Sequence, residues 1–203
     1  MSEIRSGTLA VSTFRTYLAI ERRFVVESAR LLAAAALNSP DEEALIQHLY
    51  AAHHLVHDQL QYFAQTLDRV GDPGPMSDAA LHHARALAGL AYEVVASGDY
   101  WRLVLFSWAT EHMYLTWCEA TFPAADPTTE VGRWVAMHAT AAFRDRVRYL
   151  AGEVNRATPD AAADKANRLY RDVLEAEIRF HEAPYVDQRT SDRAPEHHKD
   201  SRA

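Results

Sequence analysis

The eight prolines divide the chain. Pro40, Pro73, Pro75, Pro123, Pro127, Pro159, Pro184 and Pro195 all fall between stretches of three-to-four apolar periodicity, and none lies inside one. Proline has no N–H to donate and its ring clashes with the preceding turn, so this placement marks helix boundaries. Alanine supplies 36 of 203 residues and glycine only 7. Alanine loses no side-chain entropy on entering a helix, whereas glycine loses the most backbone entropy. Asn-Gly and Asp-Gly hairpin turns are missing, as is any sustained Val/Ile/Thr alternation. The sequence predicts an all-α fold.

About six long helices follow from the periodicity. The first runs from about Thr8 to Leu37, with Phe14, Tyr17, Leu18, Phe24, Val25 and Leu31 on its apolar stripe. Ser39-Pro40-Asp41-Glu42 opens the second, with Ser39 as N-cap, Pro40 at the first helical position and Glu42 completing a capping box. That helix ends at Gly71. Ser77 caps a third, to about Ala96, and Asp99 opens a fourth that carries Tyr100, Trp101, Phe106, Trp108, Tyr114 and Trp117. A fifth spans roughly Glu130 to Asn155, and the last runs from Thr158-Pro159-Asp160 to Pro184. Short links between long helices imply a bundle of antiparallel neighbours. Residues 1–186 read as a single domain. Residues 187–203 hold no large apolar side chain, so a mobile tail is expected there.

With 48% hydrophobic residues the chain can bury a core, and its formal charge of −7 is wrong for a nucleic-acid partner or an anionic membrane. Cys118 is the lone cysteine, which excludes an internal disulfide. Met1 to Ser6 lacks the layout of a signal peptide, and no 18-residue uncharged apolar run occurs. A cytoplasmic location is the expectation.

Ionisable groups that interrupt the apolar faces are the informative positions. Glu21 lies one turn from Tyr17 and from Phe24, although spacing alone reads it as an exposed carboxylate paired with an arginine. Glu111 and Tyr114 share a face of the aromatic fourth helix, where burying a carboxylate is costly. Glu177 and His181 stand at i and i+4 beside Phe180 and Tyr185, and a surface Glu–His pair is the plain reading. His53 and His57, with Asp58 adjacent, have a spacing that can hold a metal, but no further ligands are indicated. No Glu-x-x-His of the di-iron bundle type occurs. Cys118 on its aromatic helix is expected to be buried and inert.

Five segments in order carry a family resemblance. Tyr17 to Val25 resembles a first-helix YLxQDxxFV, with Glu21 for the aspartate. Val56 to Phe63 resembles LxxELxWF, with Gln59 for the glutamate and Tyr62 for the tryptophan. Ala109 to Tyr114 resembles AxExxY, Trp134 to Phe143 resembles WIxxYxSxxF with His138 at the tyrosine, and Glu177 to Tyr185 resembles ELxFWxxAY with His181 at the tryptophan. Together these resemble the TenA (thiaminase-II) family of the heme-oxygenase-like all-α superfamily. Thr110 stands where the family's nucleophilic cysteine would be, so the chain resembles the branch that lacks it.

The resemblance implies a central pocket in a bundle of six to seven long helices, without a cofactor, and a homodimer or homotetramer. It further implies hydrolysis of the exocyclic substituent of an aminopyrimidine, a C–N hydrolase of thiamin salvage. By carry-over, Glu177 would protonate a ring nitrogen and Glu111 would activate water. Glu21 would hold the exocyclic amine, while Phe24, Tyr62 and Tyr114 would sandwich the ring; His138 and His181 would line the pocket. One rival is a non-heme di-iron oxidase of the same superfamily, with Asp58, Glu111, His138, Glu177 and His181 as iron ligands. Another is a small-molecule-binding protein without turnover on the same scaffold.

Overall fold

Every regular element among the described residues is helical. The structure, a computed structural model, describes residues 1–191. After a short α1 (Ser2–Ser6) come α2 (Val11–Leu37), α3 (Glu42–His54), α4 (Leu60–Val70) and α5 (Asp78–Ser97). They are followed by α6 (Tyr100–Thr121), α7 (Glu130–Met137), α8 (Ala141–Ala157) and α9 (Ala163–Ser191). None of these helices is long and apolar enough to cross a membrane.

At the centre lies α6, against α2, α5, α7, α8 and α9. Its buried residues, among them Leu103, Val104, Leu105, Phe106, Ala109, Met113 and Tyr114, run all round the helix, as a core helix requires. By contrast α2 is one-sided, burying Phe14, Tyr17, Leu18, Glu21, Phe24, Val25, Leu31 and Leu32 while Arg22 and Arg23 face water. The longest helix, α9, lies along α5.

The second expected helix starts later and is not uniform. Asp41, rather than Ser39, caps α3 by accepting from Ala44 N at 2.9 Å, and the same carboxylate pairs with Arg156 of α8 at 2.7 Å. Ser39 Oγ instead donates to the Ala36 carbonyl. Between α3 and α4, Leu55–Gln59 winds as a π turn. A π turn widens the helix by one residue and is often found beside functional sites.

The fifth expected helix is two. Met137 ends α7, and Thr140 caps α8 by accepting from Phe143 N at 3.1 Å, so buried His138 sits in the break. The start of α7 depends on a glycine: a Cβ on Gly132 would lie 1.8 Å from the Asp126 carbonyl oxygen. The last helix does not stop at Pro184 but passes through it to Ser191. The lost hydrogen bond and the ring clash cost about 3 kcal/mol, offset by the burial of Phe180, Ala183 and Pro184 itself. Tyr185 also donates to Glu3, and Ser77 N donates to Asp187 at 3.1 Å, anchoring this end. The expected tail from 187 is thus helical as far as 191, and its remainder lies outside the described residues.

Candidate active site

The helical repeat sets one row of side chains on α2 opposite another on α6. Glu21, Phe24 and Ser28 recur at three-to-four spacing on α2; Ser107, Thr110, Glu111 and Tyr114 do so on α6. Between them lies a cavity of about 290 Å³, at the lower end of the range for small-molecule sites. The break between α7 and α8 closes one side with Met137, His138, Thr140 and Phe143. The C-terminal half of α3 and the π turn close the other with Tyr50, His54, Leu55 and Gln59.

One pole of the cavity is a buried hydroxyl–carboxyl chain. The Tyr114 hydroxyl donates to Glu21 Oε2 at 2.8 Å and lies 3.1 Å from the Tyr17 hydroxyl. Glu21 is only 6% exposed, which overturns the exposed reading. Burial pushes its pKa up to about 7, against the downward pull of the tyrosine hydroxyls. Glu177, fully buried, couples to this chain from the core side. Neither of its carboxyl oxygens has a hydrogen-bond partner, and burial followed by the charge of Glu21 raises its pKa well above the usual range. Burial of this carboxyl thus favours its protonated form.

The other pole is an ion pair. Arg146 Nε of α8 stands 3.4 Å from Glu111 Oε2, and both residues line the cavity. Burial raises the Glu111 pKa while Arg146 opposes the rise. Both terminal nitrogens of Arg146 are buried without a hydrogen-bond partner. Between the poles, the His138 ring stacks on Tyr114 at 5.2 Å between centroids and meets Phe143 edge-on. His138 donates its Nδ1–H to the Trp134 carbonyl at 3.0 Å, and burial drops its pKa to about 4, so it is neutral with a bare Nε2.

Of the residues singled out in the sequence, the cavity gathers Glu21, Phe24, Glu111, Tyr114 and His138. Tyr62, Glu177 and His181 are not among its lining residues. Tyr62 packs on Phe63 with its hydroxyl buried, near the Arg69–Glu130 pair. His181 packs against Tyr17, Tyr114 and Trp117 and donates Nδ1–H to the Glu177 carbonyl at 2.9 Å. Thr110 lines the cavity and donates to the Ser107 carbonyl. Cys118 is buried, off the cavity wall, and burial pushes its thiol up to about 12.

The iron-ligand set is not assembled. Asp58 is half exposed and bonded to His54 and His57 on the surface. Among the described residues no group of three or more His, Cys, Asp or Glu side chains is placed to hold a metal ion.

Arg146 escapes sequence reasoning because arginines alternate at 144, 146 and 148, and that spacing alone does not say which of them faces inward. Its neighbours do pair outward, Arg144 with Glu119 and Arg148 with Asp145. Arg146 alone shares the inward face of Phe143 and Val147.

The comparisons agree with this architecture. The model of the TENA/THI-4/PQQC family matches residues 1–187. The chain belongs to that family. Among solved structures, a TenA homologue from Pyrococcus furiosus superposes with a TM-score of 0.79 at 14% identity, covering 90% of this chain and 88% of that one. A TenA family transcription regulator from a Silicibacter species superposes with a TM-score of 0.71 at 15% identity, covering 91% and 85%. Both share the all-α fold. No curated protein matches the sequence.

Proposed function

We propose that this TenA-family chain is a hydrolase acting on the exocyclic substituent of an aminopyrimidine or a closely related small nitrogen heterocycle. The observation that carries the reading is the pairing, across one 290 Å³ cavity, of a carboxyl with a pKa near 7 and a carboxylate held by an arginine. Phe24, Tyr114, His138 and Phe143 supply flat apolar surface for a heteroaromatic ring. Glu21 grips the amine and the adjoining ring nitrogen, one oxygen accepting from the amine N–H and the other exchanging a proton with the ring. With Thr110 at the expected cysteine position, water is the nucleophile. Glu111 takes a proton from that water as it attacks the carbon bearing the scissile C–N bond, and the departing nitrogen receives the proton as the bond breaks. Glu177, outside the cavity wall, serves as the proton reserve for Glu21.

The purified chain, incubated with 4-aminopyrimidines carrying amine or amide substituents on a 5-methylene, should release the substituent. E111Q should slow release by roughly 10²–10⁴-fold while leaving binding within a few-fold. Tight binding of the same compounds with no product would instead favour a ligand-sensing protein, a reading supported by the description of one neighbour as a transcription regulator.

A further inference from the structure

A second cavity, of about 400 Å³, lies between α2 and α5, within the size range of small-molecule sites. Ile20, Arg23, Phe24 and Glu27 recur at three-to-four spacing on its α2 wall, and Leu81, Arg85, Gly89 and Tyr92 do so on its α5 wall. Ile20 and Phe24 are buried, Leu81 and Met76 half-buried, so the floor is apolar. Phe24 also lines the candidate active site and forms the partition between the two spaces.

The charge at the mouth is positive and unanswered. Arg23 and Arg85, one on each wall, are exposed, and neither makes a hydrogen bond or ion pair with any described residue. Glu27 is the single carboxylate in the lining, and both its oxygens already accept from Arg30 at 2.9 Å. The same Arg30 nitrogen donates to the Tyr92 hydroxyl at 3.1 Å, which ties α2 to α5 at that end.

Gly89 is the second observation. It lies in the interior of α5, where glycine is less stable than alanine because it loses more backbone freedom on folding. Nothing local demands it there: its φ is not positive, and a Cβ would meet no atom within 4 Å. What its missing side chain does is keep space open between Arg85 and Tyr92, one turn to either side.

We propose that the α2–α5 cavity binds a small organic anion, a carboxylate on a short apolar body. Arg23 and Arg85 take the carboxylate, whose two oxygens match the planar fork of a guanidinium. The apolar body rests on Ile20, Phe24, Met76 and Leu81.

Isothermal titration of the full chain with 4-phenylbutyrate tests this. The wild type should bind it saturably. The neutral 4-phenylbutyramide and inorganic phosphate should each bind roughly tenfold more weakly or worse, since one lacks the charge and the other the apolar body. R23Q and R85Q should each weaken 4-phenylbutyrate binding by roughly tenfold or more. R22Q removes the same charge from the same helix outside the cavity and should bind as the wild type does. G89L fills the space and should abolish binding, with a melting temperature equal to or above that of the wild type. No saturable binding of 4-phenylbutyrate overturns the proposal. So does binding that survives in both G89L and the R23Q/R85Q double variant, which places the anion elsewhere. Equal losses in R22Q and R23Q, or phosphate or the amide binding as tightly as 4-phenylbutyrate, overturn it too.

Discussion

Tyr114 donates its hydroxyl to Glu21 at 2.8 Å across the interface of α6 and α2, and this bond fixes where the buried carboxyl points. Glu21 is nearly dehydrated, so its ionised form is disfavoured by burial and favoured only by the tyrosine hydroxyls. The result is a carboxyl whose proton is exchangeable near neutral pH.

That balance has a stability consequence. With a folded pKa of about 7 against an ordinary 4.5, the folded state holds the proton more tightly than the unfolded one. Stability therefore falls as pH rises from about 4.5 to about 7. The full penalty at higher pH is on the order of 3 kcal/mol, from about 1.4 kcal/mol per unit. Glu21→Gln keeps the shape without the charge. Melting curves from pH 4 to 8 should show the variant more stable than the wild type above neutrality, with the difference vanishing at the acid end.

Glu177 should behave differently. Burial favours its protonated form, which a glutamine amide matches in shape and charge, so Glu177→Gln should move stability by less than about 1 kcal/mol near neutral pH. Under the proposed function it should lower turnover of the aminopyrimidine substrate by roughly 10²-fold, the lower end of what acid–base assistance supplies, with ligand affinity little changed. Parallel melting and steady-state kinetics measure both. Full turnover in this variant would remove Glu177 from the proton path.

Gly132 tests how the α7–α8 break is held. A methyl group there would meet the Asp126 carbonyl at 1.8 Å, so the 125–129 loop must move away from α7. Gly132→Ala should destabilise the fold by about 2 kcal/mol or more, visible in urea denaturation. The displacement should also reach His138 at the far end of α7.

Much of this architecture is legible in the sequence because it rests on local chemistry. Ser77 caps α5, as its position before an apolar run indicates. The three-to-four spacing also puts Glu21 with Phe24, and Glu111 with Tyr114, on shared helix faces. What spacing cannot give is rotation relative to a neighbour. The plain reading of Glu21 as exposed fails because α6 packs over that side of α2. Glu177 sits one helix face away from the cavity for the same reason: α9 turns it toward Tyr17 and the core. Pro184 misleads because proline's local cost is absolute only when tertiary packing does not outweigh it. The α7–α8 break was signalled by Thr140 three residues before Phe143, a cap motif hidden inside an otherwise periodic segment.

The Glu111–Arg146 pair offers the sharpest separation of catalysis from packing. Arg146 opposes the effect of burial on Glu111, so replacing it with methionine should raise the Glu111 pKa. A base must be ionised to accept a proton, and the acidic limb of the pH–rate profile should accordingly move to higher pH. At neutral pH the turnover loss should approach that of Glu111→Gln, roughly 10²–10⁴-fold. The double variant should lose little more than either single one, because two residues that act as a unit are non-additive. Raising the pH should partly restore Arg146→Met and leave Glu111→Gln unaffected, since only the former retains a carboxylate to ionise. Equal inactivity of both at every pH would assign the arginine to substrate contact instead of to tuning its neighbour.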